Sequence, residues 1–112
     1  GVPPGAAMQD AMLHQGGKDI YLTDVVAPRF TLLYAMHVTA LKLPSLIEVV
    51  AIGATDRGSS VLHDAQGQFA ARYEATPGCA YLLRPDGHVA ARFRQATEAA
   101  IEGALSRACG KG

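Results

Sequence analysis

Cysteine is the scarcest informative residue in this chain, and its placement is as telling as its number. There are two in 112 residues, Cys79 and Cys109, and none anywhere between Gly1 and Gly78. Two thiols do not make the disulfide framework of a small secreted domain, so they are expected to be reduced thiols of a cytoplasmic protein. Tryptophan is absent and aromatics make up 6%. No apolar run approaches the roughly 20 residues that a membrane helix needs. The longest candidate, "FTLLYAM" (30–36), is strand-sized. No basic start followed by a long apolar segment marks a signal peptide. A net excess of charge of either sign is lacking too: ten Lys and Arg balance ten Asp and Glu. That balance gives no electrostatic reason to expect nucleic acid or an anionic membrane as partner.

Cofactor and metal signatures are equally sparse. There is no G-x-G-x-x-G after a strand, no P-loop and no G-x-S-x-G, so the chain has no dinucleotide fold of its own for FAD. The four histidines, His14, His37, His63 and His88, are scattered with no H-x-x-x-H and no C-x-x-C beside them. Zinc wants about four convergent ligands, so these read as ordinary imidazoles. No residue is assigned a catalytic, cofactor-binding or metal-ligating role.

What is present is one domain's worth of core: 49% hydrophobic residues in a chain short enough for a single unit, 1–112. Residues 1–17, with "PP" and "GG", are expected to be an irregular leading segment ending in a turn. "KDIYL" (18–22) reads as an edge strand. Thr23 or Asp24 is placed to cap one helical turn before Pro28. "FTLLYAM" reads as a strand covered on both faces. In "HVTALKLPSL", Pro44 limits any helix to pieces. "IEVVAIGA" (47–54) predicts a central parallel strand, and "TDRGSSVLHDAQG" a loop. "QFAARYEA" (68–75) has helical spacing that Pro77–Gly78 ends.

"CAYLL" (79–83) and "HVAARF" (88–93) bracket "RPDG" (84–87), whose Pro, Asp and Gly fit a type I turn with Asp86 bonding its own backbone. The tail "QATEAAIEGALSRACG" predicts a helix with Thr97 as cap, Glu98 and Arg107 suited to its two ends, and Gly110 as stop. Ile101, Leu105 and Ala108 line its apolar stripe, with Ala104 beside it. Gly103 inside it predicts close packing. Arg84, Arg92 and Arg94 make a small basic group around the hairpin, either a solvated face or a docking surface for an acidic partner or another domain.

This order of elements predicts an α/β sandwich with a central mixed sheet, and a thioredoxin-like fold has that order. In such enzymes the first central strand leads to a reactive cysteine, usually C-x-x-C at a helix start, where the helix N-terminus lowers the thiol pKa. Here "FTLLYA" leads into "MHVTALKL", and the position is without sulfur. Cys79 falls where the thioredoxin pattern has a proline facing the active site, so partial accessibility is expected. It has no Lys or His close upstream, and it reads as a structural thiol, as does Cys109.

The string "ARYEATPGCAYLLRPDGHVAARFR" and the terminal "ATEAAIEGALSRACG" resemble the C-terminal region of FAD-dependent aromatic-ring hydroxylases of the phenol hydroxylase and dichlorophenol hydroxylase type. Its core, "AYLLRPDGHVAARF", resembles a "Y-L-x-RPD-x-H-V-A-x-R" ending of those enzymes. "GGKDIYLTDVVAPRFTLLYA" is similar to their "dG…L-x-D…F-x-LL" segment. Cys79 departs from the Gly-Ser or Gly-Thr expected at that point. The resemblance implies a thioredoxin-like accessory domain lacking the redox cysteines, cut from the C-terminus of a flavoprotein monooxygenase. FAD and NAD(P)H are then cofactors of the parent enzyme rather than of this chain. The FAD-binding and substrate domains are the implied partners, with a homo-oligomer possible and a cytoplasmic location. A start at Gly1 rather than methionine fits a piece of a longer polypeptide, or a tag remnant. Two alternatives stand beside it: a thioredoxin- or peroxiredoxin-like thiol oxidoreductase, and a small binding module using the cleft near His37 and Cys79.

Overall fold

A computed structural model describes residues 2–26, 28–35, 42–53 and 62–109 of the chain. Its strands are β1 (Met12–Gln15), β2 (Lys18–Tyr21), β3 (Thr31–Ala35), β4 (Glu48–Gly53), β5 (Leu62–His63), β6 (Ala80–Leu83) and β7 (Val89–Phe93). The helices are α1 (Leu22–Val25), α2 (Gln68–Tyr73) and α3 (Glu98–Ala108). All seven strands form one sheet in the order β2-β1-β5-β4-β3-β6-β7. β3, β4 and β5 run parallel; β1 and β6 join them antiparallel, and β2 and β7 close the two edges. The fold is α/β with a central mixed sheet, as expected.

Alternation along the strands divides the core between the two faces. Leu33, Ala35, Ile52, Tyr81 and Leu83 pack with Leu22, Phe69 and Tyr73 of the first two helices. Leu32, Tyr34, Ala80 and Leu82 pack with Ile101, Ala104 and Leu105 of α3. Every residue of β3 is buried, which its unbroken apolar sequence requires of a strand covered on both sides. Burying side chains such as Leu32 or Ile101 contributes about 1.5–3 kcal/mol each, so the two layers hold the sheet from both sides.

The local predictions hold where the chemistry is local. Gly87 N donates to Arg84 O at 2.9 Å, closing the "RPDG" turn, and Asp86 Oδ1 accepts from His88 N at 3.0 Å. Gly87 sits at φ 84°, a region that glycine enters without strain. Thr97 caps α3 by accepting from Ala100 N at 3.2 Å. "KDIYL" supplies an edge strand, and "IEVVAIGA" a central one parallel to both neighbours.

Several expectations are corrected. The leading segment is not irregular throughout, because Met12–Gln15 pairs with Lys18–Tyr21 around the Gly16–Gly17 turn. Farther upstream, Gly5 N donates to Val89 O and Val89 N to Ala6 O, both at 2.8 Å, so residues 5–8 lie along β7. The segment read as a loop contains β5, which exists through its pairing with β4 and β1. Neither Thr23 nor Asp24 caps α1; Tyr21 stands at that position, and Asp10 Oδ1 accepts from Thr23 N at 3.1 Å instead. α2 ends at Tyr73, before Pro77–Gly78, because Glu74 turns left-handed at φ 48°.

In α3, Ala108 is exposed rather than part of the stripe. Gly103 marks no close approach: an added Cβ would meet Arg107 Nη1 at 3.5 Å, an ordinary contact. Of "HVTALKLPSL", positions 37–41 lie outside the described residues, and 42–46 are not helical. The stop at Gly110 also lies outside them.

Candidate functional site

The end of β3 is where a thioredoxin-like fold, the expectation from the order of elements, would place a reactive cysteine. The chain before β6 is pinned there by its backbone. Gly78 N donates to Ala35 O at 3.0 Å, and Ala35 N donates to Cys79 O at 2.9 Å. Gly78 holds φ 90°, and a Cβ on it would lie 3.1 Å from Gln95 Oε1, so the tight turn requires glycine. Cys79 therefore sits beside the last residue of β3, the neighbourhood its sequence position implied. His37, the other residue of that expected cleft, lies outside the described residues.

Accessibility is where the sequence reading fails. Cys79 is only 6% exposed and packs in the core layer with Tyr73 and Tyr81. Burial pushes its thiol pKa up; a hydrogen bond to the Thr76 backbone and the charge of Arg92 oppose that rise without cancelling it. A thiol held protonated and buried is a poor nucleophile. Cys109 is exposed at the C-cap of α3, which packs on the opposite face of the sheet, so the two sulfurs do not form a pair.

A cleft of about 250 Å³ opens beside Cys79, lined by Glu74, Thr76, Cys79, Tyr81, Arg92, Phe93 and Arg94. The β6–β7 register sets Arg92 opposite Tyr81, and its guanidinium lies 5.7 Å above that ring. Arg92 Nη2 is 3.8 Å from Glu74 Oε2, an exposed pair that contributes little to stability. Tyr81 OH donates to the Tyr73 carbonyl, and Tyr73 OH donates to Gln9 O while accepting from Gln9 N at 2.9 Å. The hydroxyls of Tyr81, which lines the cleft, and of Tyr73 are thus both engaged in hydrogen bonds.

The basic group does not converge. Arg92 and Arg94 share this cleft, but Arg84 bonds Asp86 at 3.0 Å in the turn and lines a separate groove with Arg107. His88 Nδ1 lies 3.3 Å from Asp86 Oδ1 without the alignment of a hydrogen bond. Among the described residues no three His, Cys, Asp or Glu side chains group to hold a metal, and no helix is long and apolar enough to cross a membrane. Sequence reasoning missed Arg92 as Cys79's cationic neighbour, because it looked upstream and the contact comes across the hairpin. It also missed Asp64, buried and accepting from Phe69 N and Ala70 N at 3.0 Å each, which anchors α2 from outside the helix.

Residues 2–112 match the model of the family described as "Aromatic-ring hydroxylase, C-terminal". The chain belongs to that family. As an aromatic-ring hydroxylase C-terminal domain it is similar to solved flavoenzymes over nearly its whole length. With the flavin-dependent monooxygenase PieE, solved in complex with FAD and substrate, it shares 27% identity and a TM-score of 0.69 over 93% of its residues. With aklavinone-11 hydroxylase, solved with FAD and aklavinone, identity is 21% and the TM-score 0.67 over 90% of its residues, a likeness of fold. The chain spans 19% and 20% of the lengths of those two proteins. StoA from Bacillus subtilis shares the fold at 11% identity, with a TM-score of 0.54 over 89% of this chain and 98% of that one. A comparison with curated proteins finds no match.

Proposed function

We propose that this chain is a redox-inactive accessory domain of an FAD-dependent aromatic hydroxylase, with a structural or interface role. In this reading it is one thioredoxin-like unit, 1–112, of a larger cytoplasmic monooxygenase. FAD and NAD(P)H serve the preceding domains, and the chain contributes surface rather than chemistry. The observation that carries the reading is the state of Cys79: buried, held protonated, and without a second thiol on its side of the sheet.

Exposed apolar residues support the interface role. Tyr21 and Leu46 are about half exposed and Val49 is 40% exposed. Leu46 also lines a groove of about 180 Å³ with Pro44, Leu105 and Cys109. Val49 pairs in register with Leu32 of the α3-side core, so it faces that same side of the sheet. Apolar area left open on a small domain is what contact with the parent's FAD-binding and substrate domains, or with a second subunit, would cover.

Thiol kinetics test the reading directly. With DTNB at neutral pH, one thiol per chain, that of Cys109, titrates quickly, while Cys79 waits on opening of the core. An insulin-reduction or peroxide assay gives no turnover above background. Rapid labelling of Cys79, or turnover abolished by Cys79→Ser, would replace this reading with a thiol oxidoreductase.

A further inference from the structure

Two histidines far apart in sequence meet where the leading hairpin joins the sheet. Among the described residues β1 pairs in register with β5 at His14 opposite His63, and on its other side His14 is paired with Asp19 of β2. Asp19, His14 and His63 therefore form a row across three strands, and the next place in that row, on β4, is Gly53, which has no side chain. Directly opposed residues on neighbouring antiparallel strands present their side chains on one face, with Cβ atoms about 4.5–5.5 Å apart. Leu13, Ile20 and Leu62, one position along each strand, pack in the core layer beneath α1 and α2. Alternation then puts the row on the opposite face. His14 and His63 are both half-buried, and Asp19 is exposed.

His14 Nδ1 lies 3.5 Å from Asp19 Oδ1. A proton on Nδ1 directed at that carboxylate leaves Nε2 as the lone-pair donor, the arrangement by which a carboxylate orients a metal-binding imidazole. We propose that His14 and His63 together bind a divalent transition-metal ion, Cu²⁺ ahead of Ni²⁺ and Zn²⁺, with Asp19 as positioning residue and water completing the coordination. The ligand count selects the ion. Structural zinc takes four protein ligands, and no such group exists among the described residues. Cu²⁺ and Ni²⁺ accept tetragonal sites with two nitrogens and added oxygens, and Cu²⁺ is bound most tightly by nitrogen donors. Bridging the two imidazoles would tie the β1–β2 hairpin to β5 at their registered pair.

The proposal stands independently of the redox reading. Its test uses the Cys109→Ser chain, which removes an exposed competing thiol. On adding Cu²⁺ at pH 7.5, the electron paramagnetic resonance spectrum is expected to show two nitrogen ligands. His14→Gln and His63→Gln each remove that signature, and Asp19→Asn weakens binding by about tenfold. Should a histidine variant fail to fold, NMR on the unsubstituted histidines decides: substoichiometric Cu²⁺ is expected to broaden the His14 and His63 ring signals before the other two. Absence of binding at millimolar metal, retention of the two-nitrogen signature in both single variants, or equal broadening of all four histidines overturns the proposal.

Discussion

Raising the pH should strip stability from this domain through one hydroxyl, that of Tyr73. Its ring is fully buried, and burial pushes its pKa up to about 12. In the unfolded chain a tyrosine titrates near 10, so between these values the folded state holds a proton that the unfolded state has released. The folded pKa is the higher one, so the stabilisation is complete below pH 10 and is lost as pH rises towards 12. Linkage gives a loss of about 1.4 kcal/mol at pH 11 and about 2 kcal/mol at pH 12 from this residue.

Tyr73→Phe isolates the effect. The variant gives up the hydroxyl's two hydrogen bonds to Gln9, at a cost of about 1–2 kcal/mol at pH 8. It keeps the ring 4.9 Å from Phe69 in a tilted contact and edge-on to Tyr81 at the same distance, and Tyr81 still donates to the residue 73 carbonyl. Having no phenol to ionise there, the variant loses less on going alkaline, and the two stability curves should cross near pH 11. Urea midpoints read by far-UV circular dichroism at pH 8, 10, 11 and 12 measure this, while difference absorbance follows tyrosine ionisation. Tyr81 and Cys79, also shifted upward by burial, remain in both proteins, so the difference between the curves reports the Tyr73 hydroxyl together with its charge coupling to Tyr81. Parallel curves across the range would refute the argument, because the hydroxyl would then titrate alike in both states.

Two substitutions test the helices α2 and α3. Asp64→Ala leaves the Phe69 and Ala70 amides without their acceptor, and urea unfolding should show a loss of about 2–3 kcal/mol, the first of these donors being buried. Gly103→Ala should raise stability by up to about 1 kcal/mol, since the position is inside α3 and a Cβ there meets only the end of a flexible arginine. A fall in melting temperature in that variant would restore the expectation of close packing.

What the sequence discloses is what depends on neighbours along the chain. The apolar run of β3, the Pro-Asp-Gly chemistry between β6 and β7, and Thr97 before α3 each specify their structure within a few residues. β5 could not be seen that way: a two-residue strand has no periodicity, and its extended form comes from pairing with β4 and β1. β1 hid because only Leu13 of its four residues is fully buried. That no cysteine precedes Cys79 was legible because a count of residues needs no coordinates. Cys79's burial, Arg92's approach across the hairpin and the meeting of His14 with His63 all arise from registers between distant segments. Arg84 shows the converse error: near Arg92 in sequence, it lies beyond the end of their shared ladder and serves the turn.

The backbone bonds of residues 5–8 to residues 87–89 join the earliest-made part of this segment to one of its last. On a ribosome, the leading residues can find those partners only after the "RPDG" hairpin has left the tunnel. Local pieces such as the β1–β2 ribbon can assemble during elongation, yet the belt that seals β7 fastens at the finish. Until then residues 5–8 wait without their partners, an extended stretch of unsatisfied backbone that a nascent copy can pair with the wrong neighbour.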